Sequence, residues 1–188
     1  MRLVLASASP RRRELLGAAG VAFDVDAAHI DEARLAGEAP EAYVERIARL
    51  KAATVARRHP QHPVLGADTV VVVDGGVLGK PVDAADAERM MGQLSGREHD
   101  VLTGIAVVWG GEARAAVDRT RVWMRPLSDA QIRWYVASGE PLDKAGAYAI
   151  QGLASRFVTR IAGSYSNVVG LPVAAVLQLL ETFDGWRA

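Results

Sequence analysis

A mixed α/β fold, with a central mixed sheet flanked by helices, is what this sequence predicts, on three observations. Apolar strand-like runs alternate along the chain with segments of helical periodicity, the pattern of a layered α/β domain. Glycine turns at Asp74-Gly75-Gly76 and Gly110-Gly111 lie between apolar runs and insert hairpins, so the sheet is not purely parallel. No internal repeat, long linker or low-complexity tract interrupts the 188 residues. A single domain over 1–188 is the simplest organisation, and the length also allows two small lobes around a cleft.

Taken in order, Arg2 to Ala6 forms a short apolar strand. Ser9 then caps a helix with Pro10 at its first position, and Gly17 or Gly20 ends it. AFDVDA, Ala22 to Ala27, alternates as a strand does, and a polar loop follows up to Pro40. Pro40 opens a long helix in which Val44, Ile47, Ala48 and Lys51 share one face, so a lysine lies on the apolar stripe. VLGADTVVVVDGGVLGKP reads as a buried strand, a turn and a short return strand. The next helix starts at Asp83 and ends at Gly96, and two long strands follow around Gly110-Gly111. Ser128 to Ser138 is helical, and a last helix from Pro172 buries Val173, Val176, Leu177, Leu180 and Phe183.

Composition narrows the function classes. The 22 basic side chains balance 22 acidic ones, so no global field draws the protein to nucleic acid or membrane, and any anion site is local. The absence of cysteine excludes disulfides, thiolate catalysis and cysteine-bound zinc, and it suits a reducing cytoplasm. The N-terminal apolar run is broken by Ser7 and Ser9 and is followed, not preceded, by positive charge, unlike a secretory signal. No apolar run approaches the roughly 20 residues of a membrane span.

The stretch LASASPRRRELL places Arg11, Arg12 and Arg13 in the first turn of a helix, where the dipole is already positive and like charge is unfavourable. A bound anion would remove that conflict, because exposed amides, serine hydroxyls and guanidinium groups after a strand suit a phosphate. A nucleic-acid patch is the competing reading, but aromatic content is only 6% and no second basic run supports it. Asp68, inside VLGADTVVVV, is costly to bury unpaired, so it either faces a cation or metal or caps a turn. Lys80 sits between Gly79 and Pro81, as a phosphate ligand or as a solvated loop lysine. GGVLGKP is not a phosphate-binding P-loop, because Asp74 stands at its first glycine position and Pro81 replaces the required Ser or Thr. His29, His59, His62 and His99 show no metal-ligand spacing and read as surface residues. Asp31-Glu32 offers hard oxygen donors or only a solvated acidic pair.

Together these residues suggest a polyphosphate site. At about 4 Å and an effective dielectric of about 20, each cation contributes about 4 kcal/mol of attraction, so several must converge on a triphosphate. Ser7, Ser9, Arg11, Arg12, Lys51 and Lys80 form a suitable set, with Asp68 or Glu32 holding Mg²⁺ or activating water.

Five ordered motifs, LASASPRRRELL, GADTVVVVDGGVLGKP, LSGREHDVLTGIAVV, DKAGAYAIQG and SYSNVVGLP, resemble those of the Maf family of nucleotide pyrophosphatases, over Leu3 to about Leu180. The resemblance implies a cleft between two lobes, a dimer, and hydrolysis of nucleoside triphosphates to monophosphate and pyrophosphate with a divalent metal, Mg²⁺, Mn²⁺ or Co²⁺. It implies Asp68 as proton acceptor, with Ser9, Arg11, Arg12, Glu32, Lys51 and Lys80 at the phosphate and metal ends. The form DKAGAYAIQG resembles the dTTP/UTP branch, whose specificity positions fall on Arg11, Thr69 and Gln151. The Gln151 amide matches the N3–H and O4 edge of uracil or thymine, which cytosine presents with reversed polarity. A bond to backbone in its glycine-rich turn is the alternative role for that amide. Two other functions compete: a non-catalytic, division-related binding protein using Arg11 to Arg13, and a purine (inosine or xanthosine triphosphate) pyrophosphatase. Neither nucleic acid nor membrane is an expected partner.

Overall fold

The computed structural model describes residues 2–187 and carries the mixed α/β fold that the periodicity predicts. Among the described residues the elements are β1 (Leu3–Leu5), α1 (Pro10–Ala18), β2 (Phe23–Val25), α2 (Pro40–Ala56), β3 (Val64–Val73), β4 (Gly76–Leu78) and α3 (Ala84–Leu94). They continue with β5 (Glu98–Trp109), β6 (Glu112–Met124), α4 (Asp129–Ala137), β7 (Val158–Ala162), α5 (Tyr165–Val169) and α6 (Val173–Glu181). The strands form one sheet in the order β2-β1-β3-β5-β6-β7, with β4 paired to β3. β1 runs parallel to β2 and to β3, whereas β3 and β4, and β6 and β7, pair antiparallel, so the sheet is mixed. No helix among the described residues is long and apolar enough to cross a membrane.

The chain divides into two compact units. The first comprises residues 1–69, 103–118 and 170–188; the second comprises residues 70–102 and 119–169. β3, β5 and β6 each supply residues to both.

In the first unit, Leu3, Leu5, Leu65, Ile105 and Val107 form a core with Leu16 of α1 and Val176 and Leu180 of α6. α2 buries Val44, Ile47, Ala48, Lys51, Ala52 and Val55, the face that its sequence spacing marks out. Its approach to the sheet depends on two strand glycines. A Cβ on Gly66 would lie 2.2 Å from the Ala48 carbonyl oxygen and 2.7 Å from the Ala52 nitrogen. One on Gly104 would lie 2.2 Å from the Val44 carbonyl oxygen. Backbone therefore rests on backbone, and the short distance lets a side chain near the C-terminal end of α2 reach β3.

The second unit packs α3 against α4 over Met90, Met91, Leu94, Ile132, Tyr135 and Phe157. Asp83 caps α3 through the Asp86 amide, and Ser128 with Gln131 forms a reciprocal capping box on α4, as the start signals in the sequence imply. One histidine departs from expectation. His99, on β5, is 3% exposed, because its strand runs through the core, and its Nε2 lies 2.8 Å from the Tyr148 hydroxyl. His59, in the first unit, is half-buried beside Asp26 at 2.8 Å, with Arg58 on the same carboxylate.

Two expected outcomes follow from this packing. Gly66→Ala drives a methyl group into the α2 backbone and is expected to cost at least about 2 kcal/mol, a fall in Tm of roughly 4–8 °C in a thermal melt. Burial, opposed by Asp100, lowers the His99 pKa from 6.5 to about 4. Between those values the unfolded chain binds the extra proton, so stability decreases as pH falls through that window and levels off below it. Urea titrations across the window are expected to show this slope, at most about 1.4 kcal/mol per pH unit, and to lose it in His99→Leu.

Candidate active site

The first unit holds Ser7, Ser9, Arg12 and Thr69 in one hydrogen-bonded set and Glu32, Lys51 and Asp68 in a second, ion-paired one. Lys51 is the hub of the second. It is 7% exposed, and its Nζ lies 2.9 Å from Asp68 Oδ1 and 3.0 Å from Glu32 Oε1. Asp68 is also 7% exposed, on the part of β3 that α2 covers, so burial of the acid is met by a cation from the facing helix. The second Asp68 oxygen, Oδ2, has no hydrogen-bond partner among the described residues. Asp68 thus does not cap a turn. It holds one oxygen on Lys51 and leaves the other uncommitted.

Glu32 comes from the loop between β2 and α2, and that loop is tied to α2 at several points. Tyr43 Oη donates to the Glu32 carbonyl at 2.9 Å, and Arg46 Nη2 donates to the Ala33 carbonyl at 3.0 Å. Arg46 also pairs with Glu38 at 2.6 and 2.8 Å, which pulls the Glu38 carboxyl down to about 2, and it stacks 5.6 Å from the Tyr43 ring centroid. Neither Tyr43 nor Arg46 stands out in the sequence, since both are ordinary residues of a polar helix face.

Arg12 answers the charge conflict at the start of α1 in a way that the local sequence does not foresee. It is 8% exposed and turned inward, with Nε on the Gly170 carbonyl at 2.9 Å and Nη1 on the Ala67 carbonyl at 2.9 Å. Nη1 also meets Ser7 Oγ at 3.1 Å, and Nη2 meets Thr69 Oγ1 at 3.1 Å. Four of the five guanidinium N–H groups are thereby spent on the chain itself. Burial lowers the Arg12 pKa, and the charge of Asp68 opposes that shift. The Thr69 hydroxyl is similarly engaged, with Thr103 Oγ1 at 2.9 Å and the Gly170 carbonyl at 3.3 Å. Ser7 accepts from the Ser9 amide at 3.3 Å, and Ser9 caps α1 through the Arg12 amide. Arg11 is partly exposed on the same helix turn. Thr103 and Gly170 were not singled out from the sequence, although a threonine beside a strand glycine and a glycine after SYSNVV were there to be noticed.

The two remaining sequence-predicted residues lie in the second unit. Lys80 and Gln151 are exposed, and neither side chain has a hydrogen-bond or ion-pair partner among the described residues. The Gln151 amide therefore does not serve its own turn. The segments that carry the two residues are joined, since the Gly146 amide donates to the Gly79 carbonyl at 2.9 Å.

Glu32 and Asp68 set two carboxylates around the Lys51 ammonium group, hard oxygen donors of the kind that a Mg²⁺-class ion takes. No group of three or more histidine, aspartate or glutamate side chains among the described residues forms a complete metal cage. Removal of the Lys51 cation strands a buried carboxylate. Lys51→Met is expected to cost about 3–5 kcal/mol, and a urea-denaturation cycle with Asp68→Asn is expected to return a coupling of at least about 1 kcal/mol.

The family described as Maf-like protein matches residues 2–183. The chain is 57% identical over 189 aligned positions to the dTTP/UTP pyrophosphatase of Myxococcus xanthus, covering 99% of this chain and 96% of that one. It is 53% identical to the dTTP/UTP pyrophosphatase of Symbiobacterium thermophilum, with 97% and 94% covered. To the protein of the same name from Vibrio cholerae it is 52% identical, with 97% and 98% covered. Agreement of this depth along nearly the whole chain makes the protein a member of the Maf family.

Proposed function

We propose that this chain, as one catalytic domain, hydrolyses dTTP and UTP to the monophosphate and pyrophosphate, with a divalent metal and with Asp68 as general base. The single observation that carries the chemistry is the buried Asp68 with Oδ1 on Lys51 and Oδ2 uncommitted. A carboxylate locked through one oxygen presents the other in a fixed direction, as a base must to take a proton from water. The substrate comes from the relatives, each named a dTTP/UTP pyrophosphatase and more than half identical to this chain.

In this reading water attacks the α-phosphorus, Asp68 takes its proton, and the bond from the α-phosphorus to the bridging oxygen breaks, with the electron pair leaving on pyrophosphate. Arg11, Lys51 and Lys80 supply positive charge to the phosphates, and Ser9 with the α1 amides adds donors. Arg12, with one N–H in reserve, acts chiefly by holding Ser7, Ala67, Thr69 and Gly170 in place and by its charge. Glu32 and Asp68 would hold Mg²⁺, Mn²⁺ or Co²⁺, which when bound neutralises charge that develops on the phosphate oxygens. The exposed, unpartnered Gln151 amide reads the N3–H and O4 edge of uracil or thymine, and Arg11 and Thr69 complete the selectivity set. A nucleotide-pool enzyme of this kind belongs in the cytoplasm, and the family reading adds a homodimer.

Asp68→Asn is expected to lower pyrophosphate release from dTTP and UTP by about 10²–10⁴-fold in a protein that is still folded at the assay temperature but melts below wild type, since the buried Lys51 cation loses one of its two carboxylates; wild-type turnover in that variant would overturn the base assignment. Chelation of divalent ions is expected to abolish turnover, and Mg²⁺, Mn²⁺ or Co²⁺ to restore it. Activity confined to inosine or xanthosine triphosphate, or absent with every nucleotide, would favour the purine or the non-catalytic reading.

A further inference from the structure

The loop that carries Gln151 is anchored on one side by the buried His99 and Tyr148 and on the other by the half-buried Glu140 backed by the buried Tyr135, none of which takes part in the proposed chemistry. On the N-terminal side Gly146 (φ +68°) and Ala147 (φ +58°) are both left-handed, and Ala147 is one of two non-glycine residues so placed among those described. A Cβ on Gly146 would meet Val71 Cγ2 at 2.6 Å, so this turn is pressed against β3. A left-handed alanine persists only where its surroundings over-determine it. Those surroundings are visible: Tyr148 is buried with its hydroxyl 2.8 Å from His99 Nε2, and the rings meet edge to face at 5.3 Å. On the C-terminal side the Leu153 and Ala154 amides donate to Glu140 at 2.9 and 3.4 Å. Glu140 in turn accepts from Tyr135 Oη at 2.8 Å, and Tyr135 Oη accepts from the Ala149 amide at 3.3 Å. Gln151 stands between these two clamps with its own amide bare.

The His99–Tyr148 pair is a poor device for stability alone. Burial raises the Tyr148 pKa and lowers that of His99, so a protonated hydroxyl meets a neutral imidazole. The remaining ring nitrogen, Nδ1, is buried with no hydrogen-bond partner in either neutral tautomer. An apolar pair of similar volume would fill the space without that unpaired polar atom.

Resting on the reading of Gln151 as the base-recognition residue, we propose that His99 and Tyr148 are positioning residues for pyrimidine selectivity. Their hydrogen bond fixes the start of the Gln151 loop, with the Tyr135–Glu140 clamp fixing its end. The bond acts through the loop backbone, touches no substrate atom, and leaves the Asp68 chemistry alone.

The test is a comparison of kcat/KM for UTP and CTP in three variants, with melting temperatures. Gln151→Leu removes the reading group. His99→Leu/Tyr148→Phe removes the bond and the orphan nitrogen together, and Tyr148→Phe removes only the hydroxyl, serving as the readout if the double variant does not fold. The expected result is that Gln151→Leu and the positioning variants each lower the UTP:CTP ratio by about 10-fold or more, while the double variant melts at or above wild type. A folded double variant, or a folded Tyr148→Phe, with the wild-type ratio would overturn the positioning role while Gln151→Leu still lowers it. An unchanged ratio in Gln151→Leu would overturn the base-reading assignment and this inference with it.

Discussion

The buried pairing of Lys51 with Asp68 is the constraint around which the first unit is built. An acid in the run VLGADTVVVV cannot be left alone in the core, and a lysine on the apolar face of a helix cannot either. Each resolves the other only if α2 lies close enough to β3 for a 2.9 Å contact. That closeness comes from Gly66 and Gly104, where any side chain would collide with the α2 backbone. Two glycines and two charges, separated in sequence, are therefore one device: the glycines set the separation and the charges use it. Glu32, brought in by a loop that Tyr43 and Arg46 tie to the same helix, adds a second carboxylate to the same ammonium group.

Arg12 shows the contrasting use of a buried cation. Its planar, multi-donor head can satisfy several carbonyl and hydroxyl oxygens at once, which an ammonium point charge does less well. By bonding to Ala67 and Gly170 it joins the start of α1 to β3 and to the segment before α6, partners 55 and 158 residues away in the chain. The positive end of the α1 dipole thus faces a guanidinium whose charge is already met by oxygens. Arg12 is thereby a frame for Ser7, Ala67, Thr69 and Gly170, and under the proposed function phosphate recognition in this region falls mainly on Arg11 and Lys51.

What the sequence disclosed and what it hid divide along the range of the interactions involved. Local signals were faithful: Ser9 caps α1, Pro10 opens it, the Val44–Ile47–Ala48–Lys51 stripe is buried, and Asp83 and Ser128 cap their helices. Placing Lys51 inward needed only the 3.6-residue period, and that placement led to the site. The partners of Arg12 were illegible because they are backbone carbonyls and hydroxyls, which any sequence supplies, brought together by the sheet. His99 was misjudged for a related reason. A polar residue in the stretch EHDVLTG looks solvated until the strand is threaded through a core and a tyrosine from another segment closes over it. Gly66 and Gly104, by contrast, were readable, since glycine inside an apolar strand signals close approach of another backbone.

The residues of the candidate site follow two physical regimes, set by the cost of leaving each group unpartnered. A charge out of water must be paired in the folded state, so Asp68, Lys51 and Arg12 arrive already bonded and rigid. Their geometry is fixed before any ligand binds, which is what an electrostatic site requires if it is not to reorganise during the reaction. The primary amide of Gln151 and the ammonium group of Lys80 are satisfied by water, so they can stand exposed and unpartnered at no such cost. Precision there has to come from the backbone beneath them, and the left-handed Gly146–Ala147 turn with its anchors supplies it. A group that must exchange water for a nucleobase is better held by its loop than by its own side-chain bonds, because any such bond would have to break before recognition begins.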